Sequence, residues 1–300
     1  MNEPKRLTTA DFDPDVLALF NQYVHGQMDR RAFLSGVGRI VGSAGAVAVL
    51  AALAPQFAAA QQVRPDDVRI KTSYERFVSP KGYGPCRGYL VRPAKPSGAL
   101  PTVLIVHENR GLNPHIEDIA RRFALEGFIA FAPDALFSLG GYPGDEDAAR
   151  SKFGTLEQDK VREDFLAGAR FLAKLKGGNG RMGAVGFCWG GGMVNFLATQ
   201  LPGLAAAAPF YGVAPDLLDV PKIHAELLVV LAAADDRVNA TWVDYQKALA
   251  SAGVRYTLFQ PPATVHGFNN DTTPRYNQDA ATEAWKRTVA LFSRTLRRVD

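Results

Sequence analysis

Two stretches, Val103-Leu104-Ile105-Val106 and Leu227-Leu228-Val229-Val230-Leu231, are apolar at every position. A strand with one solvated face alternates apolar and polar residues. These stretches do not, so both of their faces must be covered, as in a mostly parallel sheet flanked by helices. From Val63 onward, strand-like and helix-like segments alternate. Strands are expected at Val68–Val78, Gly88–Arg92, Thr102–Val106, Phe128–Ala132, Met182–Phe187, Ala205–Phe210, Leu227–Ala233 and Tyr256–Gln260. Helices are expected at Pro114–Glu126, Asp159–Lys174, Met193–Thr199, Thr241–Ala252 and Asp279–Arg297, the first with proline in its opening turn. No repeat or low-complexity linker follows Ala60, so residues 61–300 read as a single α/β domain. Hydrophobic residues make up 47% of the chain and charged residues 21%, which excludes a mainly disordered protein. The 34 basic and 30 acidic residues give only +4 with no long basic run, so nucleic acid is not an expected partner. Two cysteines cannot form a disulfide framework.

Residues 1–60 read as an address. Asp29-Arg30-Arg31-Ala32-Phe33-Leu34-Ser35 sets an arginine pair ahead of Phe-Leu, an apolar run follows over Ile40–Ala54, and Ala58-Ala59-Ala60 offers small residues for cleavage before Gln61. This resembles a twin-arginine export signal. It implies the twin-arginine translocase as a transient partner and a periplasmic or secreted location, with the cytoplasm as the alternative. At about 1.5 Å per residue the apolar run spans roughly 22 Å, short of a ~30 Å hydrocarbon core, so no stable membrane association is expected. Asp29 stands where Ser or Thr is usual, and Asp13–His25 has the spacing of a short amphipathic helix ahead of the signal. The competing reading makes the whole segment a helical N-terminal arm.

Three strand ends carry the chemistry. Gly186-Phe187-Cys188-Trp189-Gly190 follows a strand and opens a helix, the G-x-S-x-G nucleophile elbow with cysteine as nucleophile. The strained turn requires small residues two before and two after the nucleophile, and Gly186 and Gly190 supply them. Its spacing fits neither a dinucleotide fingerprint nor a P-loop. Ala234-Asp235-Asp236-Arg237-Val238 ends another apolar strand, and Thr264-Val265-His266-Gly267-Phe268 follows the last. Nucleophile, acid and histidine in that order match the α/β-hydrolase triad. Asp235 is favoured as the acid because it comes first after the strand. Asp236 reads as a cap for the next helix. No metal-ligand spacing links the five histidines, so neither metal nor cofactor is expected. Cys86 reads as an inert thiol.

Gly-Phe-Cys-Trp-Gly-Gly, preceded by His107-Glu108-Asn109-Arg110-Gly111-Leu112-Asn113 and accompanied by Ala132-Pro133-Asp134 and Phe210-Tyr211-Gly212-Val213, resembles the dienelactone hydrolase (carboxymethylenebutenolidase) family over roughly residues 68–296. The resemblance implies an α/β-hydrolase fold and hydrolysis of a small ester or lactone through a thioester on Cys188. His266 is then the base and Asp235 its orienting carboxylate. Backbone N–H groups of Trp189 and Asn109 form the oxyanion hole. Glu108 matches an extra carboxylate that keeps the resting thiol neutral and takes its proton when substrate arrives. Members that bind a carboxylate substrate carry arginine where this chain has Asn270, which puts the dienelactone itself in doubt. Arg110 and Arg150 are the candidate substitutes, with Arg275 also near in sequence and a surface position the competing reading for Arg150 and Arg275; Trp189, Phe137, Tyr142, Tyr211 and Phe268 are candidate pocket walls, with core packing the equal alternative. The alternatives are an acyl- or thioester-processing transferase on the same triad and a non-catalytic binding module.

Overall fold

The structure is a computed structural model and describes residues 6–297. Eight strands form one sheet: β1 (Ile70–Ser79), β2 (Gly84–Pro93), β3 (Leu100–Val106), β4 (Ile129–Pro133), β5 (Gly178–Phe187), β6 (Leu204–Phe210), β7 (Glu226–Val230) and β8 (Tyr256–Phe259), in the order β1-β2-β4-β3-β5-β6-β7-β8. β2 runs antiparallel to both of its neighbours, and β4, β3, β5, β6, β7 and β8 are parallel. The unalternated apolar strands serve two cores. Leu104 and Val106 face one with Leu227 and Val229, while Val103 and Ile105 face the other with Leu228 and Val230. Numbering helices in chain order from the N-terminus, α7 (Gln158–Ala173), α8 (Trp189–Gln200) and α9 (Asp236–Ser251) cover the first face; α5 (Pro114–Leu125) and α10 (Gln278–Leu296) cover the second. The expected α/β-hydrolase architecture is the observed one.

Several elements differ from expectation: β2 and β5 each start four residues early, and α9 starts at Asp236, five residues before the expected Thr241. The helix expected at Met193–Thr199 starts four residues earlier, at Trp189. Gly190, Gly191 and Gly192 disfavour a helix by propensity, but the sheet below leaves room for nothing larger. A Cβ at Gly190 would lie 2.5 Å from the carbonyl oxygens of Val106 and His107. Helix α6 (Glu146–Gly154) occupies a stretch with no expected element, and it buries only Ala149 and Phe153.

Residues 6–60 fold as a helical cap: α1 (Pro14–Val24), α2 (Arg30–Val41), α3 (Ser43–Leu53) and α4 (Phe57–Ala60). Val16, Phe20, Tyr23, Phe33, Val37, Ala46 and Leu53 form its own small core. Asp29, the residue out of place in the arginine motif, is the N-cap of α2, accepting from the Ala32 N–H at 2.7 Å. The stretch Ser43–Ala60 is long and apolar enough to cross a membrane, by length and composition alone, with a mean hydropathy of 1.6. In the fold it is broken at Ala54-Pro55 between α3 and α4. The cap is tied to the α/β domain by backbone acceptors on α1, by an Arg30–Asp147 ion pair at 2.9 Å, and by the Gln56 N–H donating to Thr272 O at 2.7 Å.

Candidate active site

Cys188 sits between β5 and α8 with φ 57° and ψ −118°. A non-glycine residue at positive φ is strained, and an over-determined turn is needed to hold it there. The glycines permit that turn: a Cβ at Gly186 would come 2.2 Å from Gly190 O, and one at Gly191 would come 2.3 Å from Phe210 O. Trp189 is the first residue of α8, so its N–H lies among the helix donors that lack an intrahelical partner. Its indole stacks on His107 at a centroid distance of 5.7 Å and donates to Gln158 Oε1 at 3.0 Å.

Asp235 and His266 come from the loops after β7 and β8. His266 Nδ1 lies 2.5 Å from Asp235 Oδ2, and both side chains are buried. A carboxylate can only accept, so Nδ1 carries the proton and the imidazole turns Nε2 toward Cys188, its lone pair free when the ring is neutral. Nε2 of His266 has no hydrogen-bond partner, and a nitrogen of its ring lies within 4.8 Å of Cys188 Sγ. Asp236, by contrast, is the exposed first residue of α9.

Burial opposes a charged thiol. The charge of the facing His266, with His25 also beside the sulfur, outweighs it, and the Cys188 thiol is held well below its usual range. Burial likewise opposes a charged imidazole, but the Cys188 thiolate and the Asp235 hydrogen bond push His266 upward. The site therefore favours a thiolate–imidazolium pair at rest, which differs from the neutral thiol that the resemblance implied. Glu108 follows His107 after β3, and its Oε2 accepts from Asn270 Nδ2 at 3.1 Å. Asn270, the departure from the arginine-bearing members, thus engages Glu108.

An inner cavity of roughly 410 Å³ is bounded by Cys188, His266, Glu108, Arg110 and Arg275 on the domain side and by cap residues such as Phe20 and Leu50 on the other. An outer cleft of roughly 920 Å³ also reaches Cys188 and includes Asn109, Arg150 and Trp189 in its lining. Arg110 is buried, with Nη1 donating to Val24 O at 3.1 Å and Nε 3.5 Å from Glu146. Arg150 donates to Tyr23 O and lies 3.5 Å from Asp147. Both candidate substrate arginines thus spend hydrogen-bonding capacity on the cap. The Asn109 side chain does the same, donating to Val24 O at 3.0 Å.

Tyr211 and Phe268 are corrections. Expected as pocket walls, they are buried and line neither cavity at Cys188. Tyr211 packs against His266 at 4.9 Å and Phe268 packs behind Tyr211 at 5.7 Å, so they support the imidazole from the core. His107 is structural. Its Nδ1–H donates to Glu108 O and its Nε2 accepts from the Ala135 N–H, while burial lowers its pKa to about 4. Cys86 is buried and its thiol is pushed up to about 12, chiefly by desolvation, as suits an inert thiol.

One site residue was not legible in the sequence. His25, the C-cap of α1, reaches Cys188 with its Nε2 3.8 Å from Sγ, and its ring meets that of His266 edge-on at 4.4 Å.

Comparison with known proteins agrees with this architecture. The dienelactone hydrolase family model matches residues 86–296. The chain belongs to the dienelactone hydrolase family. As a family member it is an ester or lactone hydrolase. A second, YqhI-like model matches residues 3–40, within the cap segment. A carboxymethylenebutenolidase homologue of Salmonella typhi is 32% identical over 220 residues, covering 68% of this chain and 81% of its own. The hydrolase fragment YghX of Escherichia coli K12 is 55% identical over 105 residues, 35% of this chain and 90% of the fragment. A dienelactone hydrolase-type crystal structure from Klebsiella pneumoniae superposes with a TM-score of 0.65 at 26% identity, covering 74% of this chain and 99% of that one.

Proposed function

We propose that this dienelactone hydrolase family member cleaves a small ester or lactone through a Cys188–His266–Asp235 triad. What supports the reading most is that His266 has a carboxylate 2.5 Å from Nδ1, an unpartnered Nε2, and the Cys188 thiol within 4.8 Å of its ring nitrogen. The Cys188 thiolate attacks the ester carbonyl carbon, and the negative charge moves to the carbonyl oxygen. The N–H of Trp189 and a backbone N–H of Asn109 receive that oxyanion, and such a donor is typically worth about 10²–10³ in rate. As the tetrahedral intermediate collapses, the C–O bond breaks and the His266 imidazolium gives its Nε2 proton to the leaving alkoxide. The acyl group remains on sulfur as a thioester. His266, neutral again, takes a proton from water; the hydroxide attacks, and the acid and thiolate are released. Asp235 holds the Nδ1–H tautomer throughout and stabilises each imidazolium.

The cap wall bears on the substrate. Phe20, Val47, Leu50 and Phe57 give the inner cavity an apolar lining from the cap, and Arg110 and Arg275, the latter over the Phe20 ring at 5.4 Å, give it charge from the domain. That division suits a compact ester with an apolar body and a polar or anionic end. We also propose that the arginine motif directs export by the twin-arginine translocase to the periplasm. Cleavage after Ala60 would remove this wall together with His25, so cleaved and uncleaved chains should differ in substrate preference. N-terminal sequencing of the protein from fractionated cells decides it, and a cytosolic chain beginning at Met1 would refute export.

Turnover of a lactone and ester panel by the full chain and by Cys188→Ala tests the hydrolytic reading. The triad requires loss of nearly all activity in the variant. Undiminished turnover would refute it, and acyl products on added alcohols or amines would favour a transferase.

A further inference from the structure

The cap brings a second imidazole to a site whose proposed hydrolytic chemistry needs only one. His25 Nδ1 lies 2.7 Å from the carbonyl oxygen of Asn21, an acceptor only, so Nδ1 carries hydrogen and Nε2 of the neutral ring is the lone-pair nitrogen. His266 is arranged the same way, with Nδ1 held by Asp235 and Nε2 without a hydrogen-bond partner. Two imidazole Nε2 atoms therefore face one sulfur, and the Cys188–His266 pair has a single proton between them. The three donor atoms lie within 4.8 Å of one another.

We propose that His25, Cys188 and His266 form a site for a zinc-class divalent ion, and that occupancy silences the hydrolase. The donor set is one thiolate and two imidazoles, a borderline-soft combination that suits Zn²⁺ and excludes Mg²⁺ and Ca²⁺, which take oxygen ligands. The spacing fits. Metal bonds of about 2.3 Å to sulfur and 2.0–2.1 Å to nitrogen at a tetrahedral angle place sulfur and nitrogen roughly 3.6 Å apart, and the His25–Cys188 separation is 3.8 Å. The surroundings fit as well. A ligating histidine normally passes its other N–H to a carboxylate or a backbone carbonyl, and here one does each, to Asp235 and to Asn21 O. The inner cavity that reaches all three residues leaves a fourth position for water or a substrate oxygen.

The step balances without a further reactant. The Cys188–His266 pair holds one proton between sulfur and Nε2. The ion takes both lone pairs and that proton goes to solvent. The sulfur lone pair then belongs to the metal and is no longer available to a carbonyl carbon. Silencing rests on the hydrolytic reading of Cys188, whereas binding does not.

The test uses the full chain, freed of metal with EDTA, and titrates it with Co²⁺ and Zn²⁺. Wild type should show a thiolate-to-Co²⁺ charge-transfer band that Zn²⁺ displaces, with about one proton released per ion by calorimetry in buffers of different ionisation heat. His25→Ala and the bulkier His25→Gln should each weaken Zn²⁺ binding by at least about tenfold, since even an outer-shell partner is worth 10–100-fold. His224→Ala, a change at an exposed histidine away from the cluster, should leave binding unchanged. Ester turnover should fall in step with Zn²⁺ occupancy and return with EDTA. Absence of the band in wild type, or equal Zn²⁺ affinity in both His25 variants, overturns the proposal. A band with turnover indifferent to Zn²⁺ upholds the metal site and instead overturns Cys188 as nucleophile.

Discussion

Replacing Asp235 with asparagine isolates what one buried carboxylate contributes. The side chain keeps its volume and loses its charge. Two unit charges 2.5 Å apart interact by about 332/(20 × 2.5), or roughly 7 kcal/mol, at an effective dielectric of about 20. An amide oxygen facing Nδ1 would recover about 1.5–3 kcal/mol as a hydrogen bond to a charged donor. The remaining loss of about 4–5.5 kcal/mol corresponds to a fall of roughly 10³–10⁴ in turnover. If the amide instead turns its NH₂ toward Nδ1, the ring must move its own proton to Nε2, and it then faces the sulfur with a donor in place of a base; the loss is of the same order. The assay is kcat and KM for p-nitrophenyl acetate with EDTA present, beside a urea melt to show that the fold persists. The expected signature is a collapse of kcat with KM little changed. An Asp235→Asn enzyme within tenfold of wild type would refute the claim that this carboxylate orients and charges His266.

Three further outcomes follow from the packing. Asp271 is buried with His115 Nδ1 at 3.2 Å and Arg122 Nη2 at 2.6 Å; desolvation opposes its charge, but these partners lower its pKa from 3.8 to about 2. At about 1.4 kcal/mol per pH unit, its depressed folded-state pKa contributes roughly 2.5 kcal/mol, present above pH ~4 and lost as pH falls through about 2. Urea melts of Asp271→Asn should show that deficit at pH 7 and almost none near pH 2; an equal deficit at both would mean lost packing. Gly190→Ala should destabilise by about 1–3 kcal/mol or more, because its methyl group meets the fixed carbonyls of Val106 and His107 at 2.5 Å; an unchanged melting temperature would show that the elbow yields. Phe20→Ala removes a buried ring from the cap and from the cavity wall, so KM should rise more for esters with a long acyl chain than for acetates, and a uniform change would remove the cap from substrate recognition.

The sheet was legible because burial on both faces leaves a direct mark, an unbroken apolar run over Val103–Val106 of β3 and Leu227–Val230 of β7. Motif order placed Cys188, Asp235 and His266 at the strand ends, and the start of α9 at Asp236 now accounts for the second of the paired aspartates. Other features needed tertiary information. Helix α6 has too small an apolar face to announce itself. Tyr211 and Phe268 are aromatics beside motif residues, and sequence cannot tell a pocket wall from the packing behind the His266 ring. The cap was hardest. Its alanines and glycines, with the arginine pair, read as an address, yet the Phe20, Tyr23 and Phe33 cluster folds the segment back over Cys188. His25 lies 163 residues from the cysteine it meets, so no local spacing could join them.

The central claim is that Cys188 carries the acyl group between two half-reactions. Mixing EDTA-treated enzyme with p-nitrophenyl acetate, quenching in acid within the first turnover and mapping the peptides by mass spectrometry tests it directly. The account predicts an acetyl thioester on the peptide holding Cys188, labile to hydroxylamine and missing from Cys188→Ala. An acetyl group on another side chain that disappears at the rate of turnover, with Cys188 unmodified, would contradict it.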